Sequence, residues 1–177
     1  MKFAPTTFLL LGACAMAALA LAGCSQSDPV PAKDAVNPTF EVPTHGQAKL
    51  PTIRLYLGAE TLDAEQALTQ EQEAIGMMFR TNIQDTDAML FVMPFPQQAS
   101  FWMTNCPESI SCAYISPEGV IEEIHHLEKN DATAVKSTNN DIQFVLETSE
   151  GWFTRHNIAP GAVIFTDHGT LYRTYFH

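Results

Sequence analysis

The chain has 177 residues, 46% of them hydrophobic, with nine basic and 20 acidic side chains and a formal net charge of −11. That balance disfavours binding nucleic acid or anionic head groups through a basic patch. The apolar content suffices for a packed core, and the acidity is spread along the chain as solvated faces rather than gathered into a tail.

The first segment reads as an export signal. Lys2 gives a short positive start, Phe8 to Leu21 a short apolar core, and Leu21-Ala22-Gly23-Cys24 a small-residue step into cysteine. A transmembrane anchor would need about 20 apolar residues, and this core is shorter and interrupted by Gly12. The expectation is cleavage before Cys24, lipidation of Cys24, and a membrane anchor built from more than one acyl chain. Ser25 follows the cysteine where no Asp stands, which resembles lipoproteins sorted to the outer membrane, facing the periplasm.

Residues 24–50 are rich in Pro, Ser, Ala, Asp and Thr and read as a disordered tether. Such a tether has a root-mean-square reach of roughly 28 Å. Residues 51–177 read as a single domain. Removal of Cys14 with the signal and lipidation of Cys24 leave Cys106 and Cys112 as the domain's thiols. An oxidising compartment favours a bridge between them, worth about 2.4 kcal/mol by loop closure. Two free thiols are the alternative, and the spacing is not that of a redox CxxC pair.

In the domain, Ile53 to Leu57 alternates at period two and stops at Gly58, as a half-buried strand does. Thr69 followed by Gln72 has capping-box form and predicts a helix ending near Arg80. Met89 to Met93 is an apolar strand stopped by Pro94 and Pro96. Ser100 to Asn105 and Ser111 to Ser116 read as strands around a loop. Ser116-Pro117-Glu118-Gly119 is a turn, with Val120 to Leu127 returning as its hairpin partner. Leu127 to Asp141 is a polar excursion. Phe144 to Leu146 is a strand, and Ser149 is placed to cap a short helix through Trp152 and His156, with Asn157 suited to a left-handed end. Val163 to Thr166 and Leu171 to Phe176 are the last strands. The expected fold is mostly β, a small antiparallel barrel or sandwich of about seven or eight strands with about two short helices.

Four blocks, Gly76-Met77-Met78-Phe79-Arg80, Met89 to Phe95, Phe101-Trp102-Met103-Thr104-Asn105, and Leu146-Glu147 with Gly151-Trp152 and Ile158-Ala159-Pro160-Gly161, resemble in order and spacing the domain of unknown function 192 family. The resemblance implies one small, mostly β, barrel-like and commonly exported domain with no established activity. Where the family carries Lys-Asn-Thr and then Pro-Leu-Asp, this chain has Thr104-Asn105-Cys106 and Ser109-Ile110-Ser111, and Ala162 replaces the usual Asp after Gly161. An acid or base that the family used at either place is missing here.

The residues left within the shared blocks, Arg80, Trp102, Asn105 and Glu147, make a candidate binding surface. Arg80 is placed to hold Glu147 or an anionic ligand as a bidentate donor. The competing reading makes Arg80 a rim ion pair, Trp102 core and Asn105 a turn residue. His125 and His126 are adjacent on a strand, so their rings point to opposite faces and do not chelate together. Met77, Met78, Met89, Met93 and Met103 are read as packing rather than soft-metal ligands. No metal or cofactor is implied, and no catalytic residue is assigned, because the chain has no GxSxG elbow, HExxH helix, phosphate loop or dinucleotide fingerprint. The expectation is a lipid-anchored envelope protein whose domain binds a small ligand or a partner protein. An enzyme acting on an envelope polymer or small molecule is the second reading, and a structural envelope-assembly role the third.

Overall fold

Three strands are buried on both of their faces, and they form the middle of the structure. A computed structural model of the chain describes residues 41–176, so the export signal, Cys24 and most of the predicted tether lie outside the described residues. The strands are β1 (Thr52–Leu57), β2 (Glu60–Ala67), β3 (Ala88–Gln97), β4 (Ser100–Phe101), β5 (Ile110–Ile115), β6 (Ile121–Leu127), β7 (Val135–Lys136), β8 (Ile142–Ser149), β9 (Ile164–Thr166) and β10 (Gly169–Thr170). The helices are α1 (Gln70–Ile75), α2 (Trp152–Arg155) and α3 (Leu171–Tyr175).

Eight strands make one sheet in the order β10-β9-β1-β2-β3-β8-β5-β6, while β4 pairs with β7. Neighbours are antiparallel except β2 and β3, which run parallel. A parallel pair needs a crossover, and α1 lies in it. The sheet curls into a half-barrel. Its flanks meet where Val120 bridges Val163 and the Ile121 amide donates to the Ala162 carbonyl at 2.8 Å. The expected mostly β fold is therefore correct in class, with a mixed rather than purely antiparallel sheet.

Strand alternation sorts the central residues into two cores. The inner one collects Leu90, Ile115, Phe144 and Leu146 with Leu55 and Leu57 of β1, closed by Trp152 and Phe153 of α2 and Leu171 of α3. The outer one collects Met89, Phe91 and Met93 of β3, Cys112 and Tyr114 of β5 and Val145 of β8, covered by Ile75, Met77, Met78 and Met103. Burial on both faces explains why residues 89–93 of β3 and 112–115 of β5 read as continuous apolar runs rather than as alternation, as does the shorter run 144–146 of β8.

Helix α1 has the predicted capping box: Thr69 Oγ1 accepts from the Gln72 amide at 3.2 Å and Gln72 Oε1 from the Thr69 amide at 3.1 Å. It ends earlier than expected, at Gly76 with φ +50°. A Cβ on Gly76 would stand 3.2 Å from the Phe91 ring, so only glycine lets the turn pass over Phe91 without strain. Strand β3 continues through Pro94 and Pro96, contrary to expectation, because its register shifts between Val92 and Gln97 and the prolines sit exposed in that irregularity.

Other expectations are corrected. Strand β2 had no counterpart in the sequence reading. Strand β4 covers only Ser100–Phe101, and Trp102 to Asn105 turns instead, with the Cys106 amide donating to the Met103 carbonyl and Asn105 at φ +60°. Ser149 ends β8, and Gly151 rather than Ser149 precedes α2. Asn157 is left-handed as expected, at φ +56°. Leu171 to Tyr175 is a helix, because Thr170 Oγ1 accepts from the Arg173 amide and Leu171 is the residue it buries.

The last part of the predicted tether packs on the domain. The Leu50 amide donates to Glu65 at 2.7 Å, and Gln47 Nε2 donates to the Gln72 and Gly76 carbonyls at the end of α1. Residues 43–50 are thus held by backbone and side-chain bonds rather than left free.

Candidate functional site

Across the outer face of the sheet one row of paired residues runs Glu65, Met89, Glu147, Cys112, His125, taken from β2, β3, β8, β5 and β6. Two carboxyl groups therefore point into the outer core, and their fates differ. Burial pushes Glu65 upward, but Arg80 and the Leu50 amide overcome this and hold it below the usual carboxylate range. The Arg80 guanidinium grips both Glu65 oxygens, at 2.5 and 2.8 Å. Glu147 has no such partner among the described residues. It is 5% exposed, and burial raises it to about 8 against the weaker pull of Arg80. At neutral pH this carboxyl is mostly protonated.

Above Glu147 lies a cavity of about 300 Å³ between α1 and the segment from Gln97 to Cys106. Met77, Met78, Met93, Phe91, Phe101 and Trp102 supply its apolar walls, and Gln70, Gln97, Gln98 and Ser100 its polar lining. Glu73 of α1 also lines it, and burial shifts its carboxyl upward too. Aromatic packing behind the wall is continuous: Phe91 meets Phe101 edge-on at 5.0 Å, and Phe101 meets Tyr114 at 6.0 Å.

Of the four residues of the predicted surface, Trp102 and Glu147 share this cavity. Arg80 does not line it and holds Glu65, so the expected Arg80–Glu147 pair is replaced by Arg80–Glu65. Asn105 is also outside the lining: its side chain donates to the Pro43 carbonyl at 3.0 Å and its own carbonyl accepts from the Phe79 amide at 2.8 Å, which makes it a turn residue. The bridge expected between Cys106 and Cys112 is not formed; both are free buried thiols. Cys112 points into the outer core beside Glu147, while Cys106 lines the cavity. Burial, with Glu147 nearby, raises Cys106 to about 12 and Cys112 well above the ordinary thiol value, so neither is a ready thiolate.

Sequence reasoning missed Glu65 and Glu73, and it read the lining Met77, Met78 and Met93 as packing. Glu73 lies on the helix that the capping box predicts, but Met77 falls beyond its end at Gly76, so no helical spacing marked the carboxyl as facing a cavity. Glu65 shares its strand face with Ala67, and nothing in β2 marks that face as covered.

His125 Nε2 meets Glu123 at 2.9 Å and its ring lies 4.9 Å from Tyr114, while His126 Nε2 meets Glu128 at 3.3 Å. Among the described residues no three His, Cys, Asp or Glu side chains gather as metal ligands. A separate surface cluster has the Ser149 hydroxyl donating to Asp85 at 2.7 Å, with His156 Nε2 at 3.8 Å from Asp85 and Arg155 paired to the same carboxylate. The carboxylate, not the imidazole, receives the serine proton's hydrogen bond, so the order of a nucleophile triad is not met.

A family profile described as an uncharacterised protein family, DUF192, matches residues 53–166. The chain belongs to the DUF192 family. That span includes every residue of the cavity and both cores apart from the Leu171 contribution of α3. Among solved structures, a protein from Sinorhizobium meliloti 1021 named as a candidate transcription regulator superposes with TM-score 0.64 at 24% identity, covering 68% of this chain and 98% of that one. A protein of unknown function from Novosphingobium aromaticivorans DSM 12444 superposes with TM-score 0.63 at 26% identity, covering 68% and 89%. No curated protein matches the chain. The likeness to the S. meliloti protein carries the DUF192 fold and nothing about activity.

Proposed function

We propose that this DUF192 protein is a lipid-anchored envelope lipoprotein, held through Cys24 at the outer membrane and facing the periplasm, whose domain binds a small ligand in the cavity under α1. The observation that carries the binding reading is Glu147: a carboxyl 5% exposed, without a hydrogen-bond donor among the described residues, at the floor of a cavity of about 300 Å³. A buried polar group costs free energy unless something meets it. Apolar walls with a few convergent polar groups are the usual composition of a ligand site. Catalysis is the weaker reading, because the lining thiol of Cys106 is held protonated and no base meets Ser100 among the described residues.

The anchor rests on Leu21-Ala22-Gly23-Cys24, and no described helix is long and apolar enough to cross a membrane. A nucleic-acid role, which the name of the S. meliloti neighbour would suggest, finds no support in a net charge of −11. Native mass spectrometry of the protein purified from envelope without chelators tests the binding reading. An added mass that disappears when Trp102 is replaced by Ala supports it, whereas a bare chain under gentle ionisation counts against it. Cys24→Ser moving the protein out of the membrane fraction supports the anchor, and unchanged membrane retention refutes it.

A further inference from the structure

The cavity's charge is one-sided. Among the described residues no Lys, Arg or His lines it, and its acidic groups are Glu73 and Glu147. The nearest guanidinium, Arg80, is committed to Glu65 through two hydrogen bonds. An anionic ligand would meet two carboxyl groups and no donor cation. A wholly apolar ligand would leave the Glu147 carboxyl unpartnered. A cation satisfies it on displacing its proton, and the side chains of Trp102, Phe101 and Phe91 with three methionine thioethers along the wall suit one that carries a hydrocarbon body.

We propose that this cavity takes an organic monocation, an ammonium group carried on an apolar body, with Glu147 as its counter-ion and Trp102 against its hydrocarbon part. The inference rests on the small-ligand reading above and names the ligand class. A metal ion fits less well, since no three His, Cys, Asp or Glu side chains converge among the described residues. The titratable groups around Glu147 are Arg80 with its partner Glu65, Glu73 across the cavity, and Cys106, Cys112 and Tyr114. Burial holds both thiols and the phenol protonated through neutral pH, and Arg80 and Glu65 stay ionised as a pair. The proton that leaves on cation binding is therefore that of Glu147, with Glu73 as the competing donor.

Titration calorimetry with three probes of nearly equal size, hexylammonium, hexan-1-ol and hexanoate, tests this on the purified protein. Hexylammonium should bind at least about tenfold more tightly than hexan-1-ol, and hexanoate most weakly, because only the cation pairs with the carboxylate. Hexylammonium affinity should rise about tenfold per pH unit below pH 7 and level off near pH 8, where Glu147 ionises unaided. In Glu147→Gln the preference for the cation and the pH slope should both vanish. Equal binding of the alcohol and the ammonium overturns the cation assignment while leaving the cavity a ligand site. Binding of none of the three overturns both. A pH slope that survives in Glu147→Gln but is lost in Glu73→Gln moves the counter-ion to α1 and refutes the role given to Glu147.

Discussion

Replacing Glu147 with Gln should make the domain's stability less dependent on pH. The folded chain keeps a proton on Glu147 up to about pH 8, whereas the unfolded chain loses it near 4.5. An acid with a raised folded pKa leaves stability intact below the unfolded value, erodes it through the window from 4.5 to about 8, and imposes its full cost above that. At about 1.4 kcal/mol per pH unit the gap amounts to roughly 4–5 kcal/mol, an upper bound because any solvent reaching the carboxyl would stabilise its charged form. Between pH 5 and pH 9 the wild-type protein should therefore lose about 3 kcal/mol more than Glu147→Gln. Gln itself buries an amide without a partner, a cost of about 1–3 kcal/mol that is the same at every pH. The readout is accordingly the slope and not the absolute stability. Urea unfolding followed by near-ultraviolet circular dichroism at four pH values measures it. Parallel stability curves for the two proteins would refute the claim that Glu147 is held protonated by burial.

The Arg80–Glu65 pair predicts the opposite behaviour. Arg80→Ala leaves a buried carboxylate unpaired and should cost about 3–5 kcal/mol in chemical denaturation at pH 7; a loss below about 1 kcal/mol would show that Leu50 and solvent suffice. Since Glu65 is held below its ordinary range, that stability is present at neutral pH and disappears as acid protonates it, so the variant and the parent should converge in strong acid. Ellman's reagent at pH 8 should find no reactive thiol in the folded domain and two after denaturation, Cys106 and Cys112; immediate reaction would contradict their burial, and absence of thiols after denaturation would show that they are bridged. Thr69→Ala removes one half of the capping box and should destabilise by about 1 kcal/mol in thermal melts.

Much of the fold was legible because its local signals agree with its packing. The capping box at Thr69, the Pro117–Gly119 turn and the period-two run from Ile53 each came through, and the inner core follows from alternate residues of strands that were recognised. The misreadings have physical causes. Leu171 to Tyr175 is aromatic and β-prone, yet the Thr170 cap and the contact of Leu171 with the inner core outweigh propensity. Glu60 to Ala67 mixes acids with small apolar residues, and its pairing to β3 is non-local. At the site, Trp102 and Glu147 were visible through the shared family blocks. An ion pair for Arg80 was the competing reading, but its partner was not visible, since Glu65 sits in the strand that the sequence left unassigned.

The parallel crossover from β2 to β3 places a six-residue helix, α1, over the most deeply embedded strand of the sheet. Strand β8 is buried along its whole length and flanked on both sides, so its amides should exchange with solvent only on global opening. Helix α1 is too short to persist alone and relies on its cap, on Gln47 and on Ile75. It can open on its own at lower free energy. On the proposed binding role, access to the cavity is a matter of roof fluctuation above a fixed floor: the entry rate would belong to Thr69 and Gly76, and the bound position to β8.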